Sequence, residues 1–398
     1  MTASSLPTAS DAFDSPSFDE SPRFTVAVSL DTTLLGTASA GPLGTASGQT
    51  PLRELTELVR AAEDAGAVAI TLRDRLVAAE PDRATHGLDA SIAAAALGPL
   101  TRGIGLIAEV PSAVSEPFHV ATALQTVDHA SLGRAALLLR PGLDGAEHDA
   151  VGRWPLHERP RPAPAVANQA AAPGGPVADG AQGTGDAPDA VAAVLRDADD
   201  TLEAITRLWD SWEADAVIRD VASGRFLDRE RIHDADFTGE RFSIQGASIT
   251  PRSPQGRPPV VLRVDGPELL PLARSRADVV IIPADDASLR DPLVAGREQH
   301  QPTPLLWAEL PLAQATPERL AELASLGFSG VQLLPTAQEQ RPGTLRRAVA
   351  ALTAGASHAA SGTLRSALGL APATNPHTAA RHSPASHIHA DTKEDSLV

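Results

Sequence analysis

The chain has 398 residues with a formal charge of −17 at pH 7, an acid excess that argues against nucleic-acid or anionic-membrane partners, since either needs a basic face. It contains no Cys and no Tyr, which removes disulfides, thiolate metal sites, Cys nucleophiles and phenolic ligand contacts. A hydrophobic content of 42% is enough for a sizeable core.

In chain order, residues 1–22 are rich in Ser, Pro and Asp and read as a disordered tail, with neither the basic region nor the apolar run of a secretory signal. The run FTVAVSL (24–30) reads as a buried strand, followed by a Gly/Thr/Ser loop without a P-loop pattern. PLRELTELVRAAEDAGA (51–67) has helical periodicity, Pro at its start and Gly66 at its end. VAITL (68–72) is a second strand, a helix spans about 88–100, and GIGLIAEV (103–110) is a third strand. A helix over 115–131 leads to strand RAALLLR (134–140). Residues 155–190 are mostly Pro, Ala and Gly and read as a low-complexity insertion, followed by a long helix over about 188–214. FTGERFSIQG (237–246) has the pattern of a short hairpin. Strand–helix alternation resumes with strands at 259–264, 277–282, 303–310 and 330–335 and helices at 266–276, 316–326 and 342–354. Residues 373–398 form a polar tail.

Eight short apolar strands, most followed by a helix, predict a (β/α)8 TIM barrel spanning 23–372, with the 155–190 and 214–258 insertions outside it. In that fold the active site lies at the C-terminal ends of the strands. The expected setting is cytoplasmic, because no apolar run approaches the length of a membrane span.

The stretch LWDSWEADAVIRDVASGRFLDRERIH (208–233), followed by GERFSIQG and PRSPQGRPP, resembles the nitrilotriacetate and dibenzothiophene-sulfone monooxygenase branch of the bacterial-luciferase-like flavin monooxygenases. SEPFHVATALQTVDHASLGR (115–134) and TLRSALGL (363–370) resemble further signatures of that branch, in the same order. The resemblance implies a luciferase-like barrel. It implies a two-component enzyme in which a separate flavin reductase supplies reduced FMN, and O2 oxidises a small organic substrate. A homo-oligomer is also implied. Trp209 and Trp212 are expected to end the helix, and the structured insertion after them to pack on the barrel wall or on a neighbouring subunit.

Carried over residue by residue, the resemblance assigns Asp74, Glu109, Ser112, Arg140, Arg263, Asp265 and Gly266 to the cofactor region, with no catalytic residue identified and no metal site expected. The fourth strand departs from the family pattern, placing Leu138 where an Asn is usual. The phosphate-gripping segment becomes VDGPELL, which puts Asp265 and Glu268 near an anion. Three readings follow: FMN held instead by Arg140 or Arg263, a deazaflavin in place of FMN, or a flavin-free barrel with a binding or assembly role.

Other polar residues have structural readings beside functional ones. Asp74 can cap the loop after its strand, and Glu109 can serve as a base or pair with Arg140. Asp128 and His129 are adjacent on a helix and so face different directions. Arg134 precedes its strand, at the face associated with stability. The His-rich segment 382–391 reads as part of the polar tail.

Overall fold

Runs of four to seven apolar or alternating residues, bounded by Gly, Pro and Asp, form strands whose two faces are both covered. In the computed structural model the described residues are 24–35, 50–74, 76, 87–142, 147, 187–298, 303–353 and 362–381. The strands are β1 (Thr25–Asp31), β2 (Ala69–Arg73), β3 (Gly105–Pro111), β4 (Ala135–Arg140), β5 (Val217–Asp220), β6 (Arg225–Leu227), β7 (Phe237–Thr238), β8 (Ser243–Ile244), β9 (Val260–Arg263), β10 (Val279–Pro283), β11 (Leu305–Pro311) and β12 (Gly330–Leu334). Eight of them close a parallel barrel in the order β1-β12-β11-β10-β9-β4-β3-β2, as the sequence predicts. The pairs β5–β6 and β7–β8 are antiparallel hairpins within the 214–258 insertion.

The helices are α1 (Pro51–Asp64), α2 (Ala90–Leu97), α3 (Pro117–Ala130), α4 (Ala187–Asp210), α5 (Leu270–Arg276), α6 (Ala287–Glu298), α7 (Pro317–Ser325), α8 (Pro342–Thr353), α9 (Leu364–Ala367) and α10 (Pro376–Arg381). Local chemistry sets several starts. The Asp89 carboxylate caps α2 by accepting from Ile92 N, and Glu116 caps α3 by accepting from His119 N with Pro117 in the first turn. Helix α6 and the hairpin β5–β6 are elements that the sequence reading did not predict. The tail expected at 1–22 and most of the 155–190 insertion lie outside the described residues. Of the tail expected from 373, residues 373–381 pack against the barrel region, with Asn375 buried and its Nδ2 donating to Asp210 O (2.9 Å) and Trp212 O (3.0 Å), and 382–398 lie outside the described residues.

Two apolar clusters result. The larger lies between the barrel wall and the helices. The smaller fills the barrel interior with Ala27, Ala69, Ile107, Leu138, Ile281 and Trp307 among its members. Small residues on β1 and β2 leave room for the indole of Trp307. Gly330 does the same, since a Cβ there would lie 2.7 Å from Trp307 Nε1 and 2.9 Å from Thr25 O. Leu364 and Leu368 of the C-terminal segment join this cluster from the N-terminal face of the barrel, where Leu364 N donates to Gly133 O (2.8 Å).

Trp209 lies in the last turn of α4 and Trp212 just beyond its end, and both are buried. Trp209 Nε1 donates to Ala121 O of α3 (3.1 Å) and Trp212 Nε1 to Ser248 O of the insertion (2.7 Å). The pair therefore fastens the insertion to the barrel wall, one of the two expected packings.

Candidate functional site

Side chains alternate along a strand, so every second residue of each barrel strand faces the interior. Two positions beyond the apolar layer this parity reaches the C-terminal ends of the strands, where the inward residues become Arg73, Glu109, Arg140, Arg263 and Glu309. Between the two layers Thr71 Oγ1 donates to Gln332 Oε1 (2.7 Å), and Ser29 Oγ is buried with no hydrogen-bond partner among the described residues. Above lies a cavity of about 350 Å³, lined by Arg73, Glu109, Arg140, Arg263 and Asp265 on its polar side and by Leu138, Leu139 and Leu269 on its apolar side. Small-molecule sites typically measure ~300–1,000 Å³, so the volume lies near the lower end.

The charges form two ion-pair groups. In the first, Glu109 Oε1 accepts from Arg140 Nε (2.7 Å), while Arg140 Nη1 and Nη2 donate to the Glu147 carboxylate (2.8 and 2.7 Å). In the second, Arg263 Nε and Nη2 donate to Glu309 (3.0 and 2.8 Å) and Nη1 to Asp265 (2.8 Å). Arg73 stands apart, with Nε 3.7 Å from Glu109 Oε2. Burial raises the Glu109 carboxyl above the usual carboxylate range despite the neighbouring Arg140 and Arg73. Asp74 is raised as well, mainly by burial, against the hydrogen bond it accepts from Ala90 N. Arg263 is held firmly cationic by its hydrogen bonds to Glu309.

Four residues expected in the cofactor region, Glu109, Arg140, Arg263 and Asp265, line one cavity. Asp74 accepts from Ala90 N (3.2 Å) and so steadies the start of α2, beside Arg140 Nη2, which lies 3.4 Å from Asp74 O. Ser112 opens the turn after β3; its Oγ is buried without a partner among the described residues. Gly266 begins the turn before α5, with the Glu268 carboxylate packed over its α-carbon. Arg73 and Glu309 lie at strand ends expected to face the active site but were not assigned to the cofactor region, and Glu147 was not anticipated at all. For Arg73 the signal was parity, two residues beyond the inward Thr71.

Asp128 and His129 do not form an acid–base pair. Asp128 accepts from Ala135 N (3.2 Å) and from Gln255 N and Nε2 (3.1 and 2.6 Å), whereas His129 Nε2 meets Pro251 O (3.2 Å). Arg134 is buried at the opposite face and donates to Gly98 O (2.7 Å), Ile104 O (2.7 Å) and Thr101 Oγ1 (2.8 Å). The segment 382–391 lies outside the described residues. Among the described residues no cluster of His, Asp and Glu is arranged to hold a metal ion, and no helix is long and apolar enough to cross a membrane.

The family model for luciferase-like monooxygenases matches residues 32–164. The chain is 28% identical over 186 residues to N-acetyl-S-(2-succino)cysteine monooxygenase of Bacillus subtilis (strain 168), covering 46% of this chain and 35% of that protein. It is 29% identical over 208 residues to nitrilotriacetate monooxygenase component A of Aminobacter aminovorans, covering 52% and 38%. The chain thus spans little more than a third of the length of these curated relatives. Among solved structures it superposes on a riboflavin lyase with modified FMN and riboflavin (TM-score 0.66, 17% identity, 88% of this chain and 96% of that one). It also superposes on the coenzyme F420-dependent tetrahydromethanopterin reductase of Methanopyrus kandleri (TM-score 0.52, 13% identity, 84% and 98%). At such identities the superpositions establish the fold.

Proposed function

We propose that the chain, which matches the luciferase-like monooxygenase model over residues 32–164, is an FMN-dependent monooxygenase acting on a small organic substrate, with reduced FMN delivered by a separate reductase. One observation carries this reading: the cavity at the C-terminal face of the barrel pairs an apolar wall with guanidinium groups. The lining fits a flavin in kind. Leu138, Leu139 and Leu269 suit a planar ring, and the arginines suit a phosphate. When bound, reduced flavin supplies the electrons with which O2 is activated.

The chain's own residues set the conditions for that chemistry. The leucines give the cavity an apolar wall. Glu109 Oε2 is the carboxylate oxygen that Arg140 leaves free, and burial raises the proton affinity of this carboxyl. Two further readings rest on specific observations. The structural likeness to an F420-dependent reductase supports a deazaflavin in place of FMN. The carboxylates that engage Arg140 and Arg263 support a flavin-free barrel with a binding or assembly role, because a phosphate would have to displace them.

Titration with oxidised and anaerobically reduced FMN, with F420 in parallel, tests the three. Micromolar binding of reduced FMN is expected. Binding of F420 alone would move the protein to the deazaflavin reading, and binding of neither by folded protein would leave the flavin-free one.

A further inference from the structure

The three guanidinium groups at the cavity differ in how fully they are engaged. Arg140 and Arg263 spend their donors on carboxylates. Arg73 does not. Among the described residues its one ion-pair contact is the 3.7 Å approach of Nε to Glu109 Oε2, longer than a hydrogen bond. Among the described residues neither terminal nitrogen has a hydrogen-bond partner. The side chain is 29% exposed and lines the cavity. Position is fixed from the backbone, since Arg73 ends β2 in register with Asp31 of β1, and Arg73 O accepts from Thr32 Oγ1 (3.0 Å).

A guanidinium placed in this way offers a planar fork of N–H donors matched to two oxygens of one anionic group. Partial removal from water strengthens such a contact and makes an empty fork costly. We infer that Arg73 is the seat of an oxyanion, the phosphate or carboxylate of a small molecule bound at the barrel mouth. The inference deepens the reading proposed above and rests on it for the location of the ligand, not for the ligand's identity.

Glu109 makes the seat proton-linked. Its Oε1 is held by Arg140, and its Oε2 lies beside the seat. An oxyanion on Arg73 therefore sits against this carboxylate. The groups facing Glu109 are Arg140 from β4, Arg73 and Asp74 at the end of β2, and Arg263 from β9. A proton on Oε2 turns the repulsion into a hydrogen bond, so the oxyanion binds together with a proton.

Calorimetry with FMN, riboflavin and malonate as probes tests this on the full chain, its Arg73→Ala, Arg73→Lys and Glu109→Gln variants. FMN and riboflavin differ by the phosphate, and malonate carries carboxylates alone. Arg73→Ala removes no hydrogen bond made by the described residues, and circular dichroism confirms that it folds. The expected result is a loss of about tenfold or more in affinity for an anionic probe, with riboflavin unaffected and Arg73→Lys intermediate. In the wild type the binding heat should vary with buffer ionisation, which reports proton uptake, and Glu109→Gln should abolish that dependence. Loss of the FMN preference over riboflavin assigns the seat to a phosphate, and loss of malonate binding alone assigns it to a carboxylate. If neither flavin binds while malonate binds through Arg73, the seat stands and the flavin reading falls. If flavins bind and Arg73→Ala changes no anionic probe, the seat falls and the flavin reading stands. If no anionic probe binds the folded wild type, the inference is overturned.

Discussion

Replacing Leu364 with alanine asks whether the C-terminal segment plugs the barrel. Leu364 is 2% exposed and packs in the interior cluster with Ala69 and Ile107. Truncating a buried leucine costs the lost transfer energy and leaves a cavity, about 3 kcal/mol in all. A second substitution measures the contact itself. A Cβ at Gly105 would lie 2.5 Å from Leu364 Cδ1 and 2.9 Å from Cδ2. Gly105→Ala alone should therefore overpack the site and cost ~1–3 kcal/mol. Combined with Leu364→Ala, the added methyl occupies vacated space, and the pair should cost less than the sum by ~1–2 kcal/mol. Urea unfolding followed by tryptophan fluorescence gives the four stabilities, with Trp307 reporting from inside the same cluster. Additivity within about 0.5 kcal/mol, or a Leu364→Ala loss below about 1 kcal/mol, would refute the plug.

Two more tests concern the outer wall. Asp210 is buried and accepts from Arg252 Nη1 (3.0 Å) and Arg257 Nε (2.9 Å); Asp210→Ala strands both arginines and should cost ~3–5 kcal/mol in chemical denaturation. His377 stacks on His233 at 3.9 Å, and His233 Nε2 meets Glu213 Oε1 at 2.8 Å. Burial, then the charge of His233, lowers His377 below its ordinary 6.5, against the opposing pull of Asp210 and Glu213. An undocked His377 thus takes its proton first. The docking of α10 is fully stable above pH 6.5 and weakens as pH falls through the window below it. Hydrogen exchange in residues 373–381 should therefore speed up on acidification beyond the intrinsic pH trend, and His377→Phe should flatten the response; a flat wild-type profile would contradict the assignment.

The barrel was legible because all eight of its strands carry apolar runs of strand length with helical periods between most of them. The misses have physical causes. Helix α6 contains Pro292, which argues against a helix in the sequence, and β5–β6 is an exposed, charged hairpin whose Phe226 is 60% exposed. The family-like motifs were legible too, and many prove to be scaffold. Glu116 and Pro117 start α3, while Gln255 of PRSPQG binds Asp128, donates to Ala135 O (2.9 Å) and accepts from Arg365 N of TLRSALGL (2.8 Å). The Gln255 contacts lie at the N-terminal face, whereas the residues that depart from the pattern gather at the mouth. Pairing there joins separate strands, as with Arg263 and Glu309 (46 positions apart), and strand order alone reveals such partners. The Glu109–Arg140 pair could be anticipated because β3 and β4 are neighbours in sequence and in space.

The closing of the ring has a consequence for how the chain is made. β1 completes the barrel by pairing with β12, and Thr25 and Ser329, which meet there, are 304 positions apart. During synthesis the first strands wait for nearly the whole chain before their last neighbour exists, and the plug follows later still. Throughout that interval apolar strand faces and an unpaired edge are open to other chains. The surplus of acidic residues bears on that interval apart from any ligand, because repulsion between copies of like charge opposes their pairing.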